Sequence, residues 1–158
     1  MIVAGTGHRP MKLGGYGEDV LARLVGLAEK YLKGERPSEV VSGMAIGWDT
    51  ALALAALSLS VPLVAAVAFE GQESRWPVEG QRRYERVLAS AARVVVVTGG
   101  GHADWKFQAR NEWMVDHCDR LAALWDGSAG GTANCVSYAR RHRPGVAIDN
   151  LWDEWRTT

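Results

Sequence analysis

Ile2-Val3-Ala4-Gly5-Thr6-Gly7-His8-Arg9-Pro10 opens the chain and decides how the rest of it is read. Three apolar residues, too few for a helix, run into two glycines around a threonine, which is how a short strand ends in a turn. Val20, Leu21, Leu24, Ala28, Tyr31 and Leu32 then recur at helical spacing. Strand, glycine turn and helix in that order make the first part of a βαβ unit, and the pattern repeats outward. Val40-Val41 is a second strand closed by Ser42-Gly43, and a helix starts near Gly47-Trp48-Asp49 and runs to about Leu59. Pro62 opens a third strand, Leu63 to Ala68; Tyr84, Val87, Leu88 and Ala91 mark a third helix. Arg93 to Thr98, with four consecutive valines, predicts a buried strand. Phe107, Asn111, Met114, Val115 and Cys118 share a helical face before a fifth strand, Leu121 to Trp125. A loop from Asp126 to Thr132, a helix from about Thr132 to His142 and a last strand, Val146 to Ile148, complete the set. Such alternation predicts an α/β fold, a mostly parallel sheet with helices on both faces. Folds of this kind bind ligands outside the carboxyl ends of their strands.

The 158 residues suit a single domain, residues 1–158, with no linker or internal repeat. Eighteen Lys and Arg cancel eighteen Asp and Glu, so no basic excess drives counterion release from a nucleic-acid backbone, and nucleic-acid binding is disfavoured. Cys118 and Cys135 make neither a disulfide framework nor a metal-ligand spacing, and His102, Asp104, His117 and Asp119 have none either. No metal is expected, and a reducing cytoplasm is the simplest compartment. Thr50 to Phe69 is uncharged and as long as a membrane span, but Pro62 cuts it and Asp49 and Glu70 flank it without Lys or Arg beside them. It reads as a buried helix followed by a buried strand, with no membrane role. Leu151-Trp152-Asp153-Glu154-Trp155 predicts a short helix whose tryptophans dock on the body or on a second subunit, and a homo-oligomer is expected.

Three glycine-bearing turns fall at three strand ends: Gly5 to Pro10, Ser42 to Asp49, and Asp126 to Thr132. In a parallel sheet these ends share one edge, so turns far apart in sequence can converge. Backbone N–H groups in such turns, with a following helix N-terminus, make an anion site, and a phosphorylated ligand is the natural occupant. The first turn is not a GxGxxG fingerprint, because Pro10 stands where the third glycine belongs, and no acidic residue ends the second strand to hold a ribose hydroxyl. No GxxxxGK[ST] phosphate loop and no GxSxG nucleophile elbow is present. His8 suits a phosphate donor or an acid–base group, Arg9 bidentate phosphate recognition, and Asp49 either a helix cap or a ligand contact. Each has a plainer reading as packing, surface pairing or capping.

Gly5-Thr6-Gly7-His8-Arg9-Pro10, Ser42-Gly43-Met44-Ala45 with Gly47 and Asp49, Arg110-Asn111 with Met114-Val115-Asp116, and Gly127-Ser128-Ala129-Gly130-Gly131-Thr132 with Asn134 together resemble the YpsA-like branch of the SLOG superfamily, over about residues 1–143. The resemblance implies a Rossmann-like fold and a nucleotide-derived ligand, ADP-ribose or NAD-like or a nucleoside phosphate, held in the strand-end groove, with no further cofactor required. It implies a sensor, carrier or sequestering role. Related Lonely Guy phosphoribohydrolases pair an arginine with a glutamate just after a GGxGT sequence. Arg110 matches the arginine, but Ala133, Asn134 and Cys135 follow Thr132 and the glutamate is missing. N-glycosidic or phosphoester hydrolysis is therefore the alternative reading, and single-stranded DNA binding, as in the related DprA proteins, is a second alternative.

Overall fold

The computed structural model describes residues 1–158 in full. Strands β1 (Ile2–Gly7), β2 (Glu39–Ser42), β3 (Leu63–Val67), β4 (Arg93–Val96), β5 (Arg120–Leu124) and β6 (Ala147–Asn150) alternate with α1 (Glu18–Glu35), α2 (Trp48–Ser58), α3 (Val78–Ser90), α4 (Trp105–Asp116), α5 (Gly131–His142) and the short α6 (Trp152–Arg156). All six strands are parallel, in the order β4-β3-β2-β1-β5-β6. The chain steps outward from β1 to β4, then crosses back to lay β5 on the other side of β1. Strand order therefore reverses between β1 and β5, the position where open parallel sheets bind ligands. The Rossmann-like α/β architecture read from the sequence is the one observed.

The period of two along each strand separates two cores. Val3, Val40, Leu63, Ala65 and Leu124 face α1, α2 and α3, with Leu151 and Trp155 of the C-terminal segment closing that side. Ala4, Val41, Val64 and Ala123 face α4 and α5. Helix α2 is apolar almost all round because it is buried almost all round, lying on β1 and β2 and against α1. Its approach needs glycine in β1: a Cβ on Gly7 would come within 2.6 Å of the Trp48 ring. The indole Nε1–H of Trp48 donates to the Ala122 carbonyl at 3.0 Å and ties α2 down where β5 runs beside β1.

Several boundaries differ from the sequence reading. β1 runs through Gly5 and Thr6 to Gly7, paired with β5 along its length, and the last strand is shifted to Ala147–Asn150. The larger correction concerns the valine run. β4 is an edge strand paired only with β3, and Val94 and Val96 are 43% and 51% exposed. By register they share the side of Ala65 and Val67, the α3 side, yet they are left uncovered. Four consecutive valines indicate strand propensity but carry no information about position in the sheet, so the expected burial fails at the edge. No helix is long and apolar enough to cross a membrane.

Candidate functional site

A groove of ≈460 Å³ opens at the carboxyl ends of β1 and β5. The end of β1 and the turn after it supply Thr6, Gly7, His8 and Arg9, and α2 supplies Asp49. Helix α4 contributes Arg110 and Asn111, the loop into α5 contributes Ser128 and Gly130, and the first turn of α5 contributes Gly131 and Thr132. The first and last glycine turns thus meet on one edge, joined directly by the bond from the His8 amide to the Leu124 carbonyl, 3.0 Å.

The middle turn stands behind the groove as its support. The Ser42 hydroxyl donates to the Asp49 carbonyl at 2.8 Å and accepts the Met44 amide at 3.1 Å, so it shapes the turn from a fully buried position. A Cβ on Gly43 would come within 2.8 Å of Arg110 Nε and 3.0 Å of Asp49 Oδ2, so glycine leaves room for those two side chains. Gly47 backs onto the His8 carbonyl, and Met44 is buried in the core on the far side of the turn. Gly5 is likewise an internal strand residue, and Gly127 turns the β5–α5 loop with φ 90. Asn134 lies a turn into α5, where its amide donates to the Gly130 carbonyl. Asp116 is outside the groove at the far end of α4, where its carboxylate accepts the Tyr138 hydroxyl at 3.0 Å.

Sequence reasoning missed Met11, Lys12, Ala45, Phe107 and Ala129, all of which line the groove. Phe107 was findable, since it stands three residues before Arg110 and shares its helix face. Two guanidinium groups approach its ring, Arg9 at 6.0 Å and Arg110 at 5.5 Å from the centroid. Lys12 arrives through a short 3-10 turn, Pro10–Lys12, which no periodic pattern announces.

The deepest charges are Asp49 and Arg110, each 5% exposed. Arg110 donates to the Gly43 carbonyl at 3.0 Å and to Asn111 Oδ1 at 3.0 Å, and does not pair directly with Asp49. Burial lowers the pKa of the Arg110 guanidinium and raises that of the Asp49 carboxyl, with the Arg110 charge opposing the rise. Asp49 Oδ2 receives only a long bond from the Ala45 amide, 3.4 Å, and Oδ1 has no partner at all. A buried carboxyl so poorly satisfied is costly in a folded protein.

Nearer the surface, Lys12 Nζ donates to Ser128 Oγ at 2.6 Å, and the Ser128 hydroxyl and amide both donate to Asp126 Oδ1. These bonds, with His8 alongside, hold the Asp126 carboxyl well below the usual carboxylate range. His8 Nε2 lies 2.8 Å from that oxygen and 3.1 Å from the Asp126 amide. A protonated Nε2 pairs with the carboxylate and a bare Nε2 accepts the amide, so His8 has a partner in either state. At the rear of the groove α5 begins at Gly131 with no side chain capping its first N–H groups. Those donors share the groove with Arg9, Lys12 and Arg110, and free helix N–H groups beside cationic side chains are the chemistry an anion needs.

A family model described as the YspA SLOG family, YpsA, matches residues 3–143. Among curated proteins, the SPbeta prophage-derived protein YoqJ of Bacillus subtilis (strain 168) is 28% identical over 135 residues, covering 75% of this chain and 79% of YoqJ. Among solved structures, DNA processing protein A from Helicobacter pylori, described for its single-stranded DNA binding mode, superposes with TM-score 0.65 at 15% identity. The match covers 94% of this chain and 64% of that one, so the chain spans less than two thirds of the Helicobacter protein. The molybdenum cofactor carrier protein MCP from Chlamydomonas reinhardtii superposes with TM-score 0.51 at 10% identity, over 99% of this chain and 94% of that one. At these identities the two structures share a fold with the chain.

Proposed function

Because the chain belongs to the YspA SLOG family, we propose that it binds a nucleotide-derived small molecule in the groove between β1 and β5, with phosphate on the uncapped start of α5 and the remainder of the ligand extending over Arg110 and Phe107. The observation that carries this reading is the meeting of free helix N–H donors with Arg9, Lys12 and Arg110 at the point where strand order reverses. The role is that of a sensor, carrier or sequestering protein. A small-molecule cargo in the Chlamydomonas carrier and single-stranded DNA in the Helicobacter protein are both compatible with this fold, and zero net charge favours the small molecule.

Calorimetric titration with AMP, ADP-ribose and NAD, beside a single-stranded oligonucleotide, tests the reading. At least one of the three nucleotides should bind, and Arg110→Ala should weaken that binding roughly ten- to a hundredfold, since a hydrogen bond to a charged group contributes about 1.5–3 kcal/mol. Binding of the oligonucleotide alone would overturn the proposal in favour of the DNA-binding alternative. The hydrolytic alternative keeps one observation in its favour, the His8–Asp126 pair at the groove edge, which has the geometry of an oriented acid–base group. Turnover of a bound nucleotide that is lost in His8→Ala would establish it.

A further inference from the structure

Asp49 lines the groove with a carboxylate that the rest of the chain leaves short of donors. Oδ1 has no partner, and Oδ2 is reached only by the Ala45 amide, at 3.4 Å. Helix capping does not account for the residue, since Gly47 precedes α2 and no side chain caps its first turn. The neighbouring cation does not fill the carboxylate either. Arg110 Nε and Asp49 Oδ2 stand 2.8 and 3.0 Å from one point, the place that a Gly43 Cβ would take. The guanidinium is nevertheless committed elsewhere: Nη1 donates to the Gly43 carbonyl at 3.0 Å, and Nε and Nη2 donate to Asn111 Oδ1 at 3.3 and 3.0 Å.

The carboxylate is also held in position from below. The Ser42 hydroxyl donates to the Asp49 carbonyl at 2.8 Å, the Thr50 hydroxyl to the Ala45 carbonyl at 2.8 Å, and the indole of the adjacent Trp48 to the Ala122 carbonyl at 3.0 Å. On the reading of the groove as a nucleotide site, from which this step proceeds, we infer that Asp49 accepts hydrogen bonds from the vicinal hydroxyls of the ligand's ribose and so selects ribonucleotides over deoxyribonucleotides.

The class of donor follows from chemistry and placement. Two adjacent carboxylate oxygens, both short of donors, match two adjacent O–H groups, and a cis-diol presents that pair without charge. A cationic donor is disfavoured because the charges of Arg9 and Arg110 already act on this carboxylate. Adenine sets its amino donor beside a ring nitrogen that can only accept, which would face one carboxylate oxygen with a lone pair. Guanine does offer two adjacent donors, but in a ligand laid from the start of α5 over Arg110 to Phe107 the sugar passes Arg110 and its neighbour Asp49, and the base lies beyond. A site built to hydrogen-bond a hydroxyl rejects the analogue lacking it, because its own buried polar group is then left unpaired.

Calorimetric titration of wild type and Asp49→Asn with AMP, 2′-deoxy-AMP, 3′-deoxy-AMP and GMP tests the assignment. Each deoxy analogue should bind wild type roughly ten- to a hundredfold more weakly than AMP. Asp49→Asn, which has the same volume but replaces one acceptor with a donor, should bind AMP and its two deoxy forms with similar affinities. A merely structural role would lower all three together and leave their ratio unchanged, and that result overturns the inference. Equal affinities of wild type for AMP and both deoxy forms overturn it as well, and do so even if the asparagine variant fails to fold; the carboxylate then holds only water. GMP binding far more tightly than AMP, with that preference lost in Asp49→Asn, would assign the carboxylate to a guanine edge instead. If AMP does not bind, the inference fails, and titration with ADP-ribose and NAD decides separately whether the groove is a nucleotide site.

Discussion

At the scale of single residues, Asp49 is the least satisfied group in the groove, and this has a consequence for stability. Burial raises its folded-state pKa above the ordinary value near 3.8. Above the unfolded value the unfolded chain has released this proton while the folded chain still holds it, so this one group makes stability fall as pH rises from about 4 toward its folded pKa. Asparagine fills the same volume and keeps an acceptor for the Ala45 amide, yet has no proton to lose. The stability of Asp49→Asn relative to wild type should therefore increase with pH above about 4. Urea denaturation of both proteins at pH 4 and pH 7 measures it, and a difference independent of pH would show that Asp49 is an ordinary carboxylate. The same position shows what sequence conveys and what it omits. The spacing Ser42-Gly43-Met44-Ala45 to Asp49 marks a glycine-bearing turn between strand and helix, but whether each of its residues faces the groove or builds the turn is decided by three-dimensional contact. Asp49 faces the groove, whereas Ser42, Gly43, Met44 and Gly47 shape its support.

At the scale of elements, helix and strand order was legible because each unit carries its own period, and the convergence of the first and last turns followed from the shared polarity of parallel strands. Position within the sheet was not legible. The valines of β4 and those of β2 look alike in sequence, yet Val40 and Val41 are fully buried at the centre while Val94 and Val96 stand at an open edge. Elements also recruit groove residues by routes that periodicity does not display, as the short 3-10 turn does for Lys12. The edge assignment can be tested by substitution. Val96→Thr keeps the β-branched shape on a half-exposed strand and should change unfolding free energy by no more than about 0.5 kcal/mol, the range of ordinary surface changes. Leu52→Ala, on the fully buried face of α2, should cost about 2–5 kcal/mol because the surrounding helices and strands cannot close the space. Comparable losses in the two variants would mean that β4 is covered in solution.

At the scale of the whole molecule, the balance of charge and the location of the groove set how the folded state responds to ligand and salt. Eighteen positive and eighteen negative side chains leave no net charge, yet Arg9, Lys12 and Arg110 come together in the lining of the groove, which also holds the start of α5. A ligand held there binds the folded chain alone, because the site is assembled from β1, α2, α4 and the β5–α5 loop and has no counterpart in the unfolded chain. At a hundredfold excess over its Kd such a ligand stabilises the fold by about 2.7 kcal/mol. For a domain of this size, with about 2–4 °C of midpoint shift per kcal/mol, a mononucleotide or ADP-ribose should raise the thermal midpoint by about 5–10 °C. A single-stranded oligonucleotide should raise it far less. A compact, few-charge ligand releases few counterions, so the mononucleotide shift should persist when salt rises from 50 to 200 mM, a range over which polyanion binding through 6–10 phosphates weakens about 10³–10⁵-fold. Thermal scans of the protein with each ligand at both salt concentrations read the two effects together. A large shift by oligonucleotide that disappears at the higher salt, with none by mononucleotide, would mean that the ring of cations tracks a nucleic-acid backbone and does not enclose a single nucleotide.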